Sequence, residues 1–159
     1  MMRRGLKLMK KGREVWANFP LEGSRQYRYV HETFIARNAV ILMDEASLLF
    51  PASAWNKIPF EVLQQWRQHR HDGVEIYMTC QHFSDLAGGL RRVVQFRNLV
   101  SSIRFSPNRP PFLIKWRTMD GRGKVKYGGG FCLFDPTLAE KYSTHFKVAR
   151  QDYLGGGQD

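Results

Sequence analysis

The chain has 159 residues, of which 43% are hydrophobic and 25% charged, and its 25 Lys and Arg against 14 Asp and Glu give a formal charge of +11. This length suffices to bury a sizeable core. The aromatic content of 13% excludes an intrinsically disordered chain in spite of the charge. The composition therefore predicts a single basic, folded domain.

The cysteine and hydropathy patterns indicate the cellular compartment. Cys80 and Cys132 are far apart and form neither a C-x-x-C pair nor a disulfide framework, so free thiols in a reducing compartment are expected. The longest apolar run, residues 39–43, is far short of the roughly 20 residues that cross a bilayer. No hydrophobic signal core follows the start of the chain. We therefore expect a cytoplasmic protein.

The positive charge is concentrated after residue 90. Residues 91–159 carry 13 of the 25 basic side chains but only 5 of the 14 acidic ones. A partner with many phosphates would be attracted to this half. Solubility alone explains the excess as well, so both interpretations stay open at this point.

The first half of the chain reads as alternating helices and strands. Residues 1–10 fit the last turns of a helix that Gly12 closes, and residues 13–19 read as a strand. Residues 38–43 form a continuous apolar run, which is typical of a strand covered on both faces in a parallel sheet.

Three further elements continue this alternation. Residues 58–70 fit a helix with Pro59 at its first position, and residues 74–80 read as a second buried strand. A short helix with Ser84 as its N-cap is predicted up to about residue 94. The order predicts an α/β fold with a parallel sheet and flanking helices.

After residue 95 the pattern changes to β structure. Residues 96–105, 111–118 and 124–134 read as strands, and residues 119–123 as the hairpin turn between the last two. Basic and apolar residues alternate along this hairpin, which predicts one basic face and one apolar face. The basic residues are Lys115, Arg117, Arg122, Lys124 and Lys126.

Two polar strand ends are the best candidates for chemistry. Asp44 and Glu45 follow the apolar strand, and Thr79 and Gln81 follow the next one. Ligands of open α/β sheets bind at the carboxyl ends of the strands. In a nucleotide hydrolase the Asp would hold Mg²⁺ and the Glu would polarise the attacking water. The alternative is an ordinary solvated strand end.

Other groups of residues are weaker candidates for a functional site. The charged cluster at residues 67–73 has two interpretations. It binds a phosphate or a neighbouring subunit, or it only complements the dipole of the preceding helix. His69 and His71 point to different sides of a helix, which argues against a metal site. Cys80 with His82 has no orienting acid, which argues against a thiol nucleophile. No G-x-x-x-x-G-K-[ST] loop occurs, and we reject residues 121–125 as a phosphate loop because they fall in the predicted hairpin.

Taken in order, these pieces resemble the Zot family, which comprises the zonula occludens toxin N-terminal domain and related filamentous-phage assembly ATPases. The resemblance covers about residues 5–147. Its specificity comes from the order in which the motifs occur, since no single motif would suffice. The matching stretches are K-K-G-R-E-V-W-A-N-F-P-L at 10–21, I-L-M-D-E-A at 41–46 with F-P at 50–51, H-R-H-D-G at 69–73, T-C-Q-H at 79–82 and K-Y-S-T-H at 141–145.

The resemblance implies a P-loop NTPase-like fold, bound ATP and Mg²⁺, and homo-oligomers that drive extrusion of phage single-stranded DNA together with other phage assembly proteins. It implies that Asp44 is the Mg²⁺ residue, that Thr79 lies at the nucleotide, and that Glu45 and Gln81 act in hydrolysis. Arg70, or Arg91 and Arg92, would then reach a neighbouring active site as an arginine finger.

The family pattern also contains parts that this sequence lacks. Its phosphate loop precedes the helix that ends near Gly12, so we expect residues 1–150 to be an ATPase domain without the first strand and loop, followed by a flexible tail at 151–159. The family's membrane contact would come only through a segment absent here, at the cytoplasmic face of the bacterial inner membrane. ATP binding by this chain alone is expected to be weak or absent. The alternative function is a non-catalytic basic module that binds single-stranded DNA or a partner subunit, and a merely solvated β face is a further possibility.

Overall fold

The computed structural model describes the backbone of residues 1–140 and the side chains of residues 1–138. Its centre is a four-stranded parallel sheet in the order β2-β1-β3-β4. The predicted α/β fold with a parallel sheet and a β region after it is confirmed. The strands are Val15–Ala17 (β1), Arg25–Gln26 (β2), Val40–Met43 (β3) and Glu75–Met78 (β4).

Helices cover both faces of this sheet. The predicted first helix is confirmed, and Gly12 follows it in the left-handed conformation, with a φ of 78° that a glycine adopts without strain. Pro59 immediately precedes its helix rather than beginning it. The helices are Met2–Met9 (α1), Ala46–Leu49 (α2), Phe60–Gln68 (α3), Gly88–Val93 (α4) and Pro136–Glu140 (α5).

Alternate residues of β1 and β3 enter two separate cores. Val40 and Leu42 pack with α1 on one face, whereas Ile41 and Met43 pack with α3 and α4 on the other. Each of these side chains is buried and contributes roughly 1.5–3 kcal/mol of transfer free energy. Burial on both faces explains why the sequence of β3 is continuously apolar.

β4 corrects one prediction. Its four residues are only half-buried, although a buried strand was predicted for residues 74–80. The physical reason is position, because in the described part of the chain β4 pairs with β3 on one side and is the edge of the sheet.

Arg13 ties together the amino ends of three strands. Its guanidinium donates to the carbonyl oxygens of Asn38, Ala39 and Gly73 at 2.9, 3.2 and 3.1 Å. It also pairs with the carboxylate of Glu75 at 3.1 Å. A hydrogen bond from Tyr77, followed by the Arg13 charge, lowers the pKa of Glu75. One side chain therefore fixes the edge of the sheet opposite the carboxyl ends.

The helix predicted from Ser84 differs from the structure. A short 3-10 turn, Phe83–Asp85, comes first, and α4 then begins after Ala87. Ser84 makes no capping bond to the helix backbone, and its hydroxyl donates instead to Asp85 at 3.3 Å. α4 begins at two glycines, Gly88 and Gly89, and is therefore shorter than the helix predicted from Ser84 to about residue 94.

The remaining strands form a separate antiparallel sheet in the order β5-β6-β7. The strands are Phe96–Ile103 (β5), Leu113–Asp120 (β6) and Lys126–Leu133 (β7). The predicted hairpin is confirmed, but its turn lies at residues 121–125 rather than 119–123. Asp120 stabilises this turn by accepting bonds from the N–H groups of Lys124 and Val125 at 2.6 and 2.9 Å.

The described helices include none that is both long and apolar enough to cross a membrane. The stretch at 141–145 and the predicted tail at 151–159 lie outside the described residues.

Candidate functional site

The carboxyl ends of β1, β3 and β4 meet at one edge of the parallel sheet. Asn18 follows β1, Asp44 follows β3, and Thr79 follows β4. The parallel register pairs Met43 with Met78, which brings the next residues of those two strands side by side. Strands β3 and β4 are thus neighbours, and their polar carboxyl ends lie at one edge of the sheet.

Asn18 holds the end of β3 through two hydrogen bonds to its backbone. The Asn18 side-chain oxygen accepts from the N–H of Asp44 at 2.7 Å, and its amide nitrogen donates to the carbonyl of Asp44 at 3.0 Å. Asn18 is 5% exposed, so these bonds form away from bulk water, where an unpaired polar group is costly. The peptide of Asp44 is therefore fixed in place before any ligand binds.

Thr79 holds the side chain of the same residue. Its hydroxyl donates to a carboxylate oxygen of Asp44 and accepts from the N–H of Glu45, the latter at 3.1 Å. The carbonyl of Thr79 accepts from the N–H of Ala46 at 2.8 Å. The end of β4 thus orders three successive residues after β3.

Glu45 has an unusual backbone conformation. With φ 49° and ψ 46°, it lies in the left-handed region, which a residue with a β-carbon occupies at some cost. The hydrogen bonds that Thr79 accepts from the N–H groups of Glu45 and Ala46 hold the segment in this shape, and α2 begins directly after it. The Glu45 side chain is exposed, whereas that of Asp44 is half-buried. Two adjacent carboxylates therefore differ in environment.

The start of α1 lies near the same edge. Burial lowers the pKa of the Met1 amino group, while the nearby charge of Asp44 opposes that change. Arg3 and Arg4 occupy the first turn of α1, whose positive dipole end lies near this region. The Arg4 guanidinium extends away from Asp44, to 4.0 Å from Glu75 at the amino end of β4. Arg3 pairs with Asp135 at 3.9 Å, and Arg4 donates to the Tyr77 hydroxyl at 3.1 Å.

These residues fit one part of a Mg²⁺-nucleotide site. Mg²⁺ keeps several waters and binds through one or two carboxylates plus phosphate oxygens, and Asp44 with the Thr79 hydroxyl offers that kind of oxygen ligand. Across residues 1–138 no cluster of three or more His, Cys, Asp or Glu could hold a metal ion by protein groups alone.

A phosphate cradle does not fit the glycine turn at residues 121–125. The N–H of Gly121 donates to the Gln95 carbonyl at 2.8 Å, and that of Gly123 donates to the Asp120 carbonyl at 2.9 Å. The next two N–H groups bind the Asp120 carboxylate. These donors are already used, and the turn joins two strands instead of a strand and a helix.

The other predicted hydrolysis residues lie at different places in the fold. Gln81 is exposed, two residues beyond Thr79. Arg70 lies at the opposite end of β4, where its guanidinium donates to the side chain of Gln95. Arg91 and Arg92 are exposed on α4. Of these residues, Arg70 is the one that the structure places at the edge of the sheet opposite Asp44.

Cross-strand register places all four cations of the antiparallel sheet's strands on one face. Lys115 and Arg117 share that face on β6, and Arg97 and Lys126 both pair with Met119. Arg122 and Lys124 lie in the adjoining turn, and both are exposed. The predicted basic face is thereby located.

The predicted separation into one basic and one apolar face is incomplete, because apolar side chains also lie on the basic face. Phe131 pairs directly with Lys115, and Leu99 pairs with Arg117. A bulge at Tyr127 adds one residue to β7, which moves every later side chain of β7 to the other face. Trp116 does face the opposite side, where it covers Gly130.

Asn18 is the site residue that sequence reasoning missed. It occurs in the motif W-A-N at the end of a predicted strand, and a polar residue at a strand end was the available signal. The two cysteines are free, as predicted, and burial raises the pKa of the Cys80 thiol.

Comparison with known proteins agrees with this architecture. A family model described as zonular occludens toxin (Zot) matches residues 6–103. The crystal structure of the N-terminal domain of zonular occludens toxin from Neisseria meningitidis is similar in fold, with a TM-score of 0.55 and 18% identity over 82% of this chain and 80% of that chain. No match was found among the curated proteins.

Proposed function

The chain belongs to the Zot family, and we propose that it is an ATPase domain of a filamentous-phage assembly machine that drives DNA extrusion. The observation that carries this proposal is the ordered pair Asp44–Glu45 at the carboxyl edge of a parallel sheet. Its backbone is fixed by Asn18 and its Asp44 carboxylate by Thr79. Such prior ordering is what electrostatic catalysis requires.

In this proposal the two carboxylates have different roles. Asp44, half-buried and held by Thr79, binds Mg²⁺ through water. The bound Mg²⁺ would neutralise phosphate charge in the transition state. Glu45 is exposed beside it and accepts a proton from the attacking water, while Gln81 orients that water or senses the γ-phosphate.

We propose that the working unit is a homo-oligomer. Arg70 lies at the opposite end of β4 from Thr79, so within one chain it is on the wrong edge of the sheet to serve Asp44. An arginine finger from Arg70, Arg91 or Arg92 would therefore act in trans. The family resemblance further suggests phage assembly proteins as partners, at the cytoplasmic face of the bacterial inner membrane.

The phosphate-binding loop is the part that residues 1–140 do not supply. β4 is the open edge of the parallel sheet on the side of Thr79, and a further parallel strand carrying such a loop would pair there. ATP binding by the 159-residue chain is accordingly expected to be weak.

ATP turnover tests the catalytic assignment. It is measured on the chain and on a version extended at its amino end by a strand and a G-x-x-x-x-G-K-[ST] loop. Glu45→Gln is expected to lower turnover of the extended protein by about 10²–10⁴-fold, because a general base is lost. Glu61→Gln, an exposed change on α3, serves as the matched control. Unchanged turnover in Glu45→Gln would remove Glu45 from the mechanism.

A second candidate function, binding of single-stranded DNA, is favoured by the grouping of cations on one face of the antiparallel sheet. Arg117, Lys126, Arg122 and Lys124 lie toward the turn at 121–125, and Lys115 lies further along the same face. Phosphate contacts from such a face would be sequence-independent and salt-sensitive.

Fluorescence anisotropy with a labelled oligothymidine at two salt concentrations tests this binding. Lys124→Glu with Lys126→Glu is expected to weaken binding and to reduce the salt slope by about 0.7 for each lost phosphate contact. Lys10→Glu with Lys11→Glu makes the same charge change at two exposed lysines just after α1. Equal effects of the two pairs would exclude a defined DNA face.

A further inference from the structure

The end of the antiparallel sheet away from the turn at 121–125 has unusual surface chemistry. Large apolar side chains are exposed together where β5, β6 and β7 meet the loop at 104–112. We name this group the apolar end. Its members and their exposed fractions are Ile103 (46%), Phe105 (81%), Phe112 (37%), Phe131 (73%) and Leu133 (71%).

Three of these side chains share one face of the sheet, and the other two lie at the adjoining end of β5 and β6, where the Phe112 N–H donates to the Ile103 carbonyl at 3.0 Å. Ile103 and Leu133 both pair with Leu113, so they flank it on the same face of the sheet. Phe131 follows on that face one pleat away, and the rings of Phe105 and Phe112 stack with centroids 4.2 Å apart. Single exposed apolar residues are ordinary on a protein surface, but a contiguous group marks a contact site.

Positive charge surrounds the apolar end. Arg104 and Arg109 lie in the adjoining loop, and Lys115 pairs with Phe131 on the same face. The nearest carboxylate in sequence, Asp135, is engaged with Arg3 at 3.9 Å. A second copy of this chain would bring the same cations together, so like-charge repulsion disfavours self-association through this surface.

We propose that the apolar end docks on an anionic membrane surface. Aliphatic and aromatic side chains would enter the boundary between headgroups and acyl chains, and the neighbouring guanidinium and ammonium groups would contact lipid phosphates. Ile103 and Leu133 favour lipid over nucleic acid because branched aliphatic groups offer no ring on which a base can stack. Docking at this surface needs no nucleotide, so this proposal can be tested independently of ATP hydrolysis.

Vesicle co-sedimentation of the full chain tests this docking. The two probes are neutral phosphatidylcholine vesicles and vesicles in which about one-third of the lipid is phosphatidylglycerol, an anionic content that attracts basic surfaces. The chain is expected to bind the anionic vesicles and not the neutral ones.

Four double variants, two for apolar side chains and two for cations, separate apolar insertion from non-specific charge attraction. Phe131→Ser with Leu133→Ser should lower partitioning about tenfold or more, because exposed apolar area is lost. Val100→Ser with Val125→Ser removes two other exposed apolar residues, 66% and 53% exposed and outside the apolar end, and should have little effect. Arg104→Glu with Arg109→Glu changes only the loop and should also reduce binding, whereas Lys10→Glu with Lys11→Glu should not.

Several results would overturn the proposal. One is absence of binding to the anionic vesicles, and another is an equal loss in the Phe131/Leu133 and Val100/Val125 pairs. A third is that labelled oligothymidine, and not the vesicles, loses binding in the Phe131/Leu133 pair, which would assign the surface to nucleic acid.

Discussion

Asn18 and Asp44 share two hydrogen bonds, at 2.7 and 3.0 Å, through which a buried side-chain amide replaces the strand pairing that β1 and β3 give up at their ends. This contact keeps Asp44 and Glu45 at the edge of the sheet in a defined geometry. It joins residues 26 positions apart, so it depends on the fold and not on local sequence.

Replacing Asn18 by Ala is expected to lower the free energy of unfolding by roughly 1–3 kcal/mol, because the N–H and carbonyl of Asp44 lose their partners at a part-buried position. Asn18→Asp keeps the acceptor but loses the donor and should also destabilise. Asn56→Ala, an exposed change, should stay within about 0.5 kcal/mol. Urea unfolding measures all three, and an Asn18→Ala value equal to that of Asn56→Ala would show that the contact is dispensable.

Thr79→Val removes one hydroxyl with little change in shape. Asp44 then loses a donor and the Glu45 N–H loses its acceptor, so a loss of about 1–2 kcal/mol in the free energy of unfolding is expected. Thr79→Ser keeps the hydroxyl and should recover most of this loss. If Ser is as destabilising as Val, the methyl group and not the hydroxyl is what matters there.

Burial of Tyr27 makes the free energy of unfolding depend on pH in the alkaline range. It is buried, its hydroxyl donates to the Leu42 carbonyl at 3.2 Å, and burial, followed by the charge of Glu32, raises its pKa. A raised folded-state pKa gives stability that is present below the unfolded value of about 10 and is lost as pH rises above it. Tyr27→Phe should therefore make alkaline unfolding less steep, whereas the exposed Tyr127→Phe should not. Identical pH profiles for wild type and Tyr27→Phe would contradict this.

Gly121 tests how the antiparallel sheet is attached to the rest of the protein. A β-carbon at this position would lie 1.8 Å from the carbonyl oxygen of Val94, so the backbone must shift. Gly121→Ala is expected to cost about 1–3 kcal/mol. Gly88→Ala, where the β-carbon would lie 3.7 Å from an Arg91 nitrogen, should be tolerated. Thermal unfolding of both variants measures the difference, and equal melting temperatures would contradict a close approach at Gly121.

Local sequence patterns predicted the elements well because burial and element type leave clear signatures. The continuous apolar run of β3 and the helical spacing of Val62 and Trp66 are examples. What the sequence did not predict depends on long-range geometry. The edge position of β4, the Asn18–Asp44 contact and the bulge at Tyr127 arise only when distant strands pair.

The bulge shows how a single residue changes the interpretation of a surface. Alternation from Lys126 without a bulge would place Phe131 on the face opposite the cations. The extra residue at Tyr127 restores Phe131 to the side of Lys115 and produces the mixed surface described above.

Paramagnetic NMR with Mn²⁺ and ATP tests whether Asp44 is the metal-holding group of a nucleotide site. Mn²⁺ accepts the same oxygen ligands as Mg²⁺, and line broadening reports even weak binding. We predict broadening of the amide resonances of Glu45, Ala46 and Thr79 that Asp44→Asn abolishes and Asp72→Asn, at the other end of the sheet, leaves unchanged. Broadening that survives Asp44→Asn, or that occurs only elsewhere, would contradict the account.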